Sequence, residues 1–187
     1  MQTAEQLRFS AEDYLVWEDT QTEKHEFIAG EVFARTGTRQ DHVVVSGNIF
    51  AALKQLIRGT SCLPYISDLK LRVEAADAFF YPDVMVSCHA EDLKNQRFIQ
   101  HPTLIVEVLS DSTASFDRGG KFAAYRKLDS LKEYLIVDID ARQVKCFRRM
   151  ASNNWLLHDY FDNEDCELTS LNISLPMAEI FEDIKAT

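Results

Sequence analysis

Residues 104–109 read Leu-Ile-Val-Glu-Val-Leu, and this run constrains the chain more than any other. It is apolar on both parities, the pattern of a strand buried on both faces of a sheet. Such a strand needs a layer packed above it and another below it. Glu107 sits inside the run. An ionised carboxylate taken out of water without a partner costs several kcal/mol or takes up a proton. Glu107 therefore needs a hydrogen-bonded cation, a metal ion or a proton. Taken alone, an acid in this setting is better explained by a structural salt bridge, since ion pairs also perturb buried groups.

A second carboxylate changes that balance. The stretch 79–88 (FFYPDVMVSC) is apolar and carries Asp83 directly after Pro82. Proline has no amide hydrogen, so the strand must bulge or go unpaired there, which turns Asp83 out of a regular ladder. Further along, the segment 117–128 reads as a helix capped by Asp117, with Lys121 and Tyr125 one turn apart on one face. Its two glycines, Gly119 and Gly120, disfavour it by about 1 kcal/mol each against alanine. The loop from Glu107 is short, so Lys121 can return over the C-terminal end of the Glu107 strand.

The other segments are read from their periodicity. Ser10 caps a helix of about two turns, with an acid three residues on. Ala29-Gly30 joins two runs of β-favouring residues in a hairpin spanning 24–36, flanked by Glu26 and Glu31. Val45, Ile49, Leu53, Leu56 and Ile57 recur at helical spacing over 40–58, with His42 at the start and Gly59 at the stop. Short strands are expected at 62–66 and 69–73, with 79–88 pairing back as a hairpin. Residues 89–103 read as a short helix or loop, and 110–113 as a loop. Strands follow at 133–139, 144–149 and 155–160, and a closing helix at 175–184 with Pro176 near its first position. Neither repeat nor linker interrupts this order. The fold class is α/β in the broad sense, an α+β mixed sheet flanked by helices in a single domain over 1–187.

Composition narrows the function. The 187 residues carry a formal net charge of −10, whereas non-specific affinity for nucleic acid comes from lysine and arginine neutralising phosphates. Any nucleic-acid site must therefore be a local basic patch, or the substrate is not a long duplex. No run of about 18 apolar residues suggests a membrane span, and the first residues lack the pattern of a secretory signal, so a cytoplasmic location is expected. Cys62, Cys88, Cys146 and Cys166 form no C-x-x-C pair, so free thiols are expected rather than a cysteine zinc cluster. No G-x-S-x-G is present, which leaves little support for a serine nucleophile.

Two carboxylates meeting at a sheet end make a hard-oxygen site suited to Mg²⁺ or Mn²⁺. A metal there activates water and offsets charge on a phosphodiester, and a lysine adds fixed positive charge. Lys70, on the 69–73 strand, is the rival lysine.

Pro82-Asp83 followed by Glu107-Val108-Leu109 resembles the PD-(D/E)XK nuclease signature, with leucine at position 109 where that signature has lysine. More widely, the segments AEDYLVWE, KHEFIAGEVF, CLPYISDLKLRV, FFYPDVMVSC, HPTLIVEVLSDST, FDRGGKFAAYRKLDSLKEYLIVD and LPMAEIFEDI resemble the Uma-two family of restriction-endonuclease-like proteins, in its order and across nearly the whole chain. That resemblance implies a PD-(D/E)XK core with N-terminal hairpin additions. It implies a metal site at Asp83 and Glu107 with the Val108 carbonyl, and a lysine displaced onto the following helix at Lys121. Glu26 matches the first acid of the family's early E-x-x-x-G-E, as an accessory acid, and His42 its helix-start histidine. Asp111 departs from the pattern, which usually has proline there. The function implied is a Mg²⁺- or Mn²⁺-dependent endonuclease acting on DNA or another nucleic acid, as a homodimer. The alternative is a nuclease-fold interaction module that has lost the chemistry, with Glu107 and Lys121 as a buried ion pair.

Overall fold

The computed structural model describes residues 9–35, 39–110 and 114–185. Asp111, the departure from the family pattern, lies outside them. Helix α1 (Ala11–Glu18) starts where expected: Ser10 Oγ accepts from the Asp13 amide at 3.1 Å and donates to its carboxylate at 2.7 Å. The hairpin β1 (His25–Ile28) and β2 (Glu31–Ala34) turns at Ala29-Gly30, both in the left-handed region. Helix α2 (Gln40–Leu56) buries Val45, Ile49 and Leu53 as its spacing predicts, whereas Leu56 stays exposed. Gly59, at φ 83°, turns the chain after it.

The strands form two larger sheets. One runs β2-β1-β5-β4-β7, with β4 (Lys70–Val73), β5 (Ala78–Phe80) and β7 (Phe98–Ile99). The other runs β11-β10-β9-β8-β6-β3, with β3 (Leu63–Ile66), β6 (Val84–Ser87), β8 (Pro102–Val108), β9 (Glu133–Asp138), β10 (Gln143–Arg149) and β11 (Trp155–Tyr160). In that sheet β8 and β9 run parallel and the remaining neighbours antiparallel, so it is mixed as expected. The 79–88 stretch is not one strand. Its first part pairs with β4 in the first sheet, and its second part with β3 and β8 in the second. Tyr81-Pro82-Asp83 is the crossing between them.

Strand β8 is buried on both faces, and parity sorts its side chains into two cores. Leu104, Val106 and Val108 pack with α2 residues Val45, Ile49 and Leu53. Ile105 and Leu109 pack with Tyr125 and Tyr134 on the other face. Glu107 shares parity with Ile105 and Leu109, and so points to that second face.

Several expectations are corrected. Cys62 and Cys88 form a disulfide rather than free thiols. Leu63 pairs with Ser87 across β3 and β6, so one step further along places the two cysteines opposite each other; a sequence separation of 26 hid this. Cys146 and Cys166 are free and buried. Asp117 is not a cap. The helix is already formed at α3 (Ala114–Phe116), passes through a π turn (Asp117–Lys121) and continues as α4 (Phe122–Tyr125). Gly120 sits where the Phe116 ring crosses: a Cβ there would lie 2.4 Å from that ring. The closing helix is shorter than its pattern suggests. Residues 173–176 pair as β13 (Ile173–Pro176) with β12 (Asp165–Leu168), and only α5 (Met177–Ile180) is helical. Pro176 therefore ends a strand on an open edge and precedes the helix.

Leu104 is fully buried in the strand that carries Glu107. Leu104→Ala should lower stability by about 2–5 kcal/mol, read as a lower urea midpoint at an unchanged slope.

Candidate active site

Four carboxylates converge where the two sheets meet, each delivered by a different part of the chain. Glu26 comes from β1. Its neighbour Phe27 packs against Tyr14 and Phe79, so alternation turns Glu26 the other way. Asp83 comes from the crossing between sheets, Glu107 from the end of β8, and Asp117 from the π turn. All four are buried and line one cavity of about 840 Å³.

Lys121 stands among them, only 5% exposed. Its Nζ lies 3.2 Å from Glu107 Oε1, 3.4 Å from Glu26 Oε1 and 3.1 Å from Asp117 Oδ1. The Asp117 contact has ion-pair distance without hydrogen-bond geometry, and Oδ1 has no hydrogen-bond partner among the described residues. One further turn along, the Tyr125 hydroxyl donates to Glu107 Oε1 at 2.7 Å. Asp117, Lys121 and Tyr125 are spaced four apart along this helix, and the first two lie in its π turn; such bulges recur at functional sites.

Asp83 is held from the other face. Its Oδ2 accepts from the Val108 amide at 2.8 Å and lies 3.2 Å from His42 Nε2 at the start of α2. Its Oδ1 accepts from Arg35 at 3.4 Å. Glu26 Oε1 accepts from the Tyr81 amide at 3.3 Å, and the Tyr81 hydroxyl donates to Glu18 at 2.8 Å. Arg35, Lys24 and Lys70 lie around the Tyr81 ring at 5.7–6.0 Å. Each of the three is ion-paired, Lys24 with Asp68, Arg35 with Asp83 and Lys70 with Asp19.

The titration of these groups follows from the crowding. Burial raises Asp83, but the hydrogen bond and charge of His42, the Val108 amide and Lys121 outweigh it and hold the carboxyl below its ordinary value. Burial works against the His42 cation, yet contact with Asp83 raises it on balance. Burial pushes Glu107 up; Lys121 pulls it down, Asp83 and Asp117 add to the rise, and it settles at about 8. Burial also disfavours the Lys121 ammonium, but Glu107, Glu26, Asp117 and Asp83 together hold it firmly charged. One ammonium cannot neutralise this many acids, so Glu107 keeps a proton at neutral pH.

That proton tests whether a divalent cation fits. Two carboxylates and a backbone carbonyl are hard-oxygen donors. A cation shared by Asp83 and Glu107 would replace the proton and balance the excess negative charge. In donor chemistry the set is of the kind that suits Mg²⁺ or Mn²⁺.

The structure thus gathers Asp83, Glu107, Lys121, Glu26, Val108 and His42, all singled out from the sequence. It separates two others. Lys70 lies 3.6 Å from Asp19, and Glu31 is exposed on β2, opposite Ile28 in the hairpin. Asp117, Arg35 and the Tyr125 hydroxyl were missed as members of the site. A spacing of four between Asp117, Lys121 and Tyr125 was the available signal for two of them.

A mixed β-sheet flanked by helices, with two acids and a lysine at its rim, defines a restriction-endonuclease-like class. The family model Uma2, described as "Putative restriction endonuclease", matches residues 11–178, and the chain belongs to that family. Two proteins of Synechocystis sp., each called uncharacterized, are 34% identical to it. One, slr1290, aligns over 95% of this chain and 93% of its own length; the other, sll1609, over 88% and 94%. The crystal structure of "a putative nuclease belonging to DUF820" from Anabaena variabilis superposes with a TM-score of 0.76 at 12% identity, covering 92% of this chain and 97% of that one. That likeness shows the fold.

Glu107 sets a pH dependence. Its folded value is raised, so below the ordinary carboxylate range both states are protonated and nothing is lost. As pH rises toward about 8, the unfolded chain releases the proton while the folded one retains it, and stability falls. Metal-free protein should therefore lose stability over that window, and Glu107→Gln should flatten the loss, as read by chemical denaturation at several pH values.

Proposed function

We propose that the chain is a metal-dependent endonuclease hydrolysing phosphodiester bonds of DNA or another nucleic acid. The observation that carries this reading is the convergence of Asp83, Glu107 and the Lys121 ammonium in one cavity. Asp83, Glu107 and the Val108 carbonyl would hold Mg²⁺ or Mn²⁺. Bound there, the cation supplies an acidified water and offsets charge on the scissile phosphate.

The protein's own groups do the rest. His42, Arg35 and the Val108 amide hold Asp83 ionised and fixed in orientation. Tyr125 fixes Glu107 by donating to one oxygen. Lys121, restrained by Glu26 and Asp117, presents a permanent positive charge to the attacking water and the phosphate. Glu26 serves as an accessory acid that keeps Lys121 in place. Arg35 and Lys24 line the cavity wall paired with Asp83 and Asp68; because the rest of the lining is largely acidic, favourable charge for a phosphate backbone would come chiefly from the bound cation. A homodimer would supply two such sites for cutting two strands.

One observation favours a second reading, a fold that serves as an interaction module: the Lys121 ammonium already donates to Glu107 at 3.2 Å, so the two buried groups satisfy each other without a metal. Mn²⁺ separates the two. A ligand that binds only the folded state raises its stability, so the nuclease reading expects a Mn²⁺-dependent rise in melting temperature that grows from pH 6 to 8 as Glu107 releases its proton. A melting curve indifferent to Mn²⁺ favours the module.

Turnover with Mg²⁺ or Mn²⁺ on mixed single-stranded, duplex and structured substrates is the direct test. Asp83→Ala and Lys121→Ala should each lower cutting by about 100-fold or more, while Lys70→Ala retains it. Undiminished cutting by Asp83→Ala removes the assignment.

A further inference from the structure

The opposite end of the β6–β8 pair carries a second cluster of ligating side chains. Ser87, the last residue of β6, pairs with Pro102, the first of β8. Continuing both strands outward brings His89 beside His101, whose rings stack with centroids 4.1 Å apart. Glu91 joins them. Each of His89, Glu91 and His101 offers a ligand atom, and the three atoms lie within 4.8 Å of one another.

Behind this trio stands a built support. Asp92 is buried and accepts from Ser87 Oγ at 2.6 Å and from the Gln100 and His101 amides at 2.9 Å each. Its Oδ1 also lies 3.3 Å from His101 Nδ1. A carboxylate at one imidazole nitrogen fixes the ring and leaves the other nitrogen for a metal, the usual outer-shell arrangement around ligating histidines. His101 is thus oriented by a buried acid, while His89 and Glu91 are exposed and able to swing onto an ion. The Glu91 amide reaches His89 Nδ1 only at 3.4 Å, a long contact that costs little to give up.

We propose that His89, Glu91 and His101 form a transition-metal site, separate from the acidic cavity. Two imidazoles and one carboxylate suit Zn²⁺, with Ni²⁺ or Cu²⁺ as substitutes, rather than Mg²⁺. Three protein ligands leave a position for water. The site lies roughly 15–20 Å from Asp83, the length of β6 and its flanks at about 3.3 Å per residue. Its effect is to pin the 89–101 connection, which carries β7, to the end of the sheet. Cys88 is adjacent in sequence but held in the disulfide with Cys62, so it supplies no thiolate.

The test uses full-length protein carrying Asp83→Asn and Glu107→Gln, stripped of metal and kept non-reducing, titrated with Zn²⁺ by calorimetry and followed by thermal melting. One Zn²⁺ per chain should bind and raise the melting temperature. Adding His89→Ala or Glu91→Ala, both at exposed positions, should weaken binding by about tenfold or more without changing the metal-free melting temperature. Cobalt substitution gives a second readout: the visible absorption of a Co²⁺–imidazole centre should appear in the parent and fade in His89→Ala. No Zn²⁺ binding by the parent overturns the proposal, as does binding of parental strength by the His89→Ala/Glu91→Ala double variant.

Discussion

The attraction between one buried ammonium and the acids packed around it organises this molecule. Without Lys121, Glu26, Glu107 and Asp117 would be carboxylates facing one another away from water, and such a cluster either takes up protons or comes apart. The lysine also ties together parts that share little else: the first hairpin, the end of the central strand and the helix that follows it. It stands in the π turn, with Asp117 and Tyr125 four residues to either side of it.

The site is polar on one side and supported on the other by two apolar cores. Strand β8 separates them, and its alternation decides which groups face which helix. Val108 looks toward α2 and its amide reaches Asp83, while Glu107 looks toward Lys121 and Tyr125. Adjacent residues on a single strand thereby serve two opposite walls of the same cavity. Such an arrangement ties the placement of Glu107, and of the amide that holds Asp83, to core packing.

Much of this was legible in the residues. The double-parity run at 104–109 gave the buried strand, and proline before Asp83 gave the interruption. The hairpin glycine, the α2 spacing and the Ser10 cap were also plain. What escaped has physical causes. A sheet change at Tyr81-Pro82-Asp83 looks the same in sequence as a bulge, since both need only one residue that cannot donate. The disulfide depends on strand register, which residue spacing does not encode. Asp117 carries the chemistry of a helix cap, and only the earlier helix start at Ala114 puts it inside. The β12–β13 pair consists of short runs whose apolar residues also fit a helix face. Arg35 and the Tyr125 hydroxyl lay in segments read for other purposes, and their partners are remote in sequence.

Asp83 occupies the hinge line between the two sheets: the chain leaves β5 on one side of it and enters β6 on the other. Glu26 belongs to the first sheet, while Glu107 and the Val108 carbonyl belong to the second. Any sliding of one sheet against the other would change the spacing between these acids before it disturbed either core. The spacing of these carboxylates is therefore a gauge of how the two halves are seated.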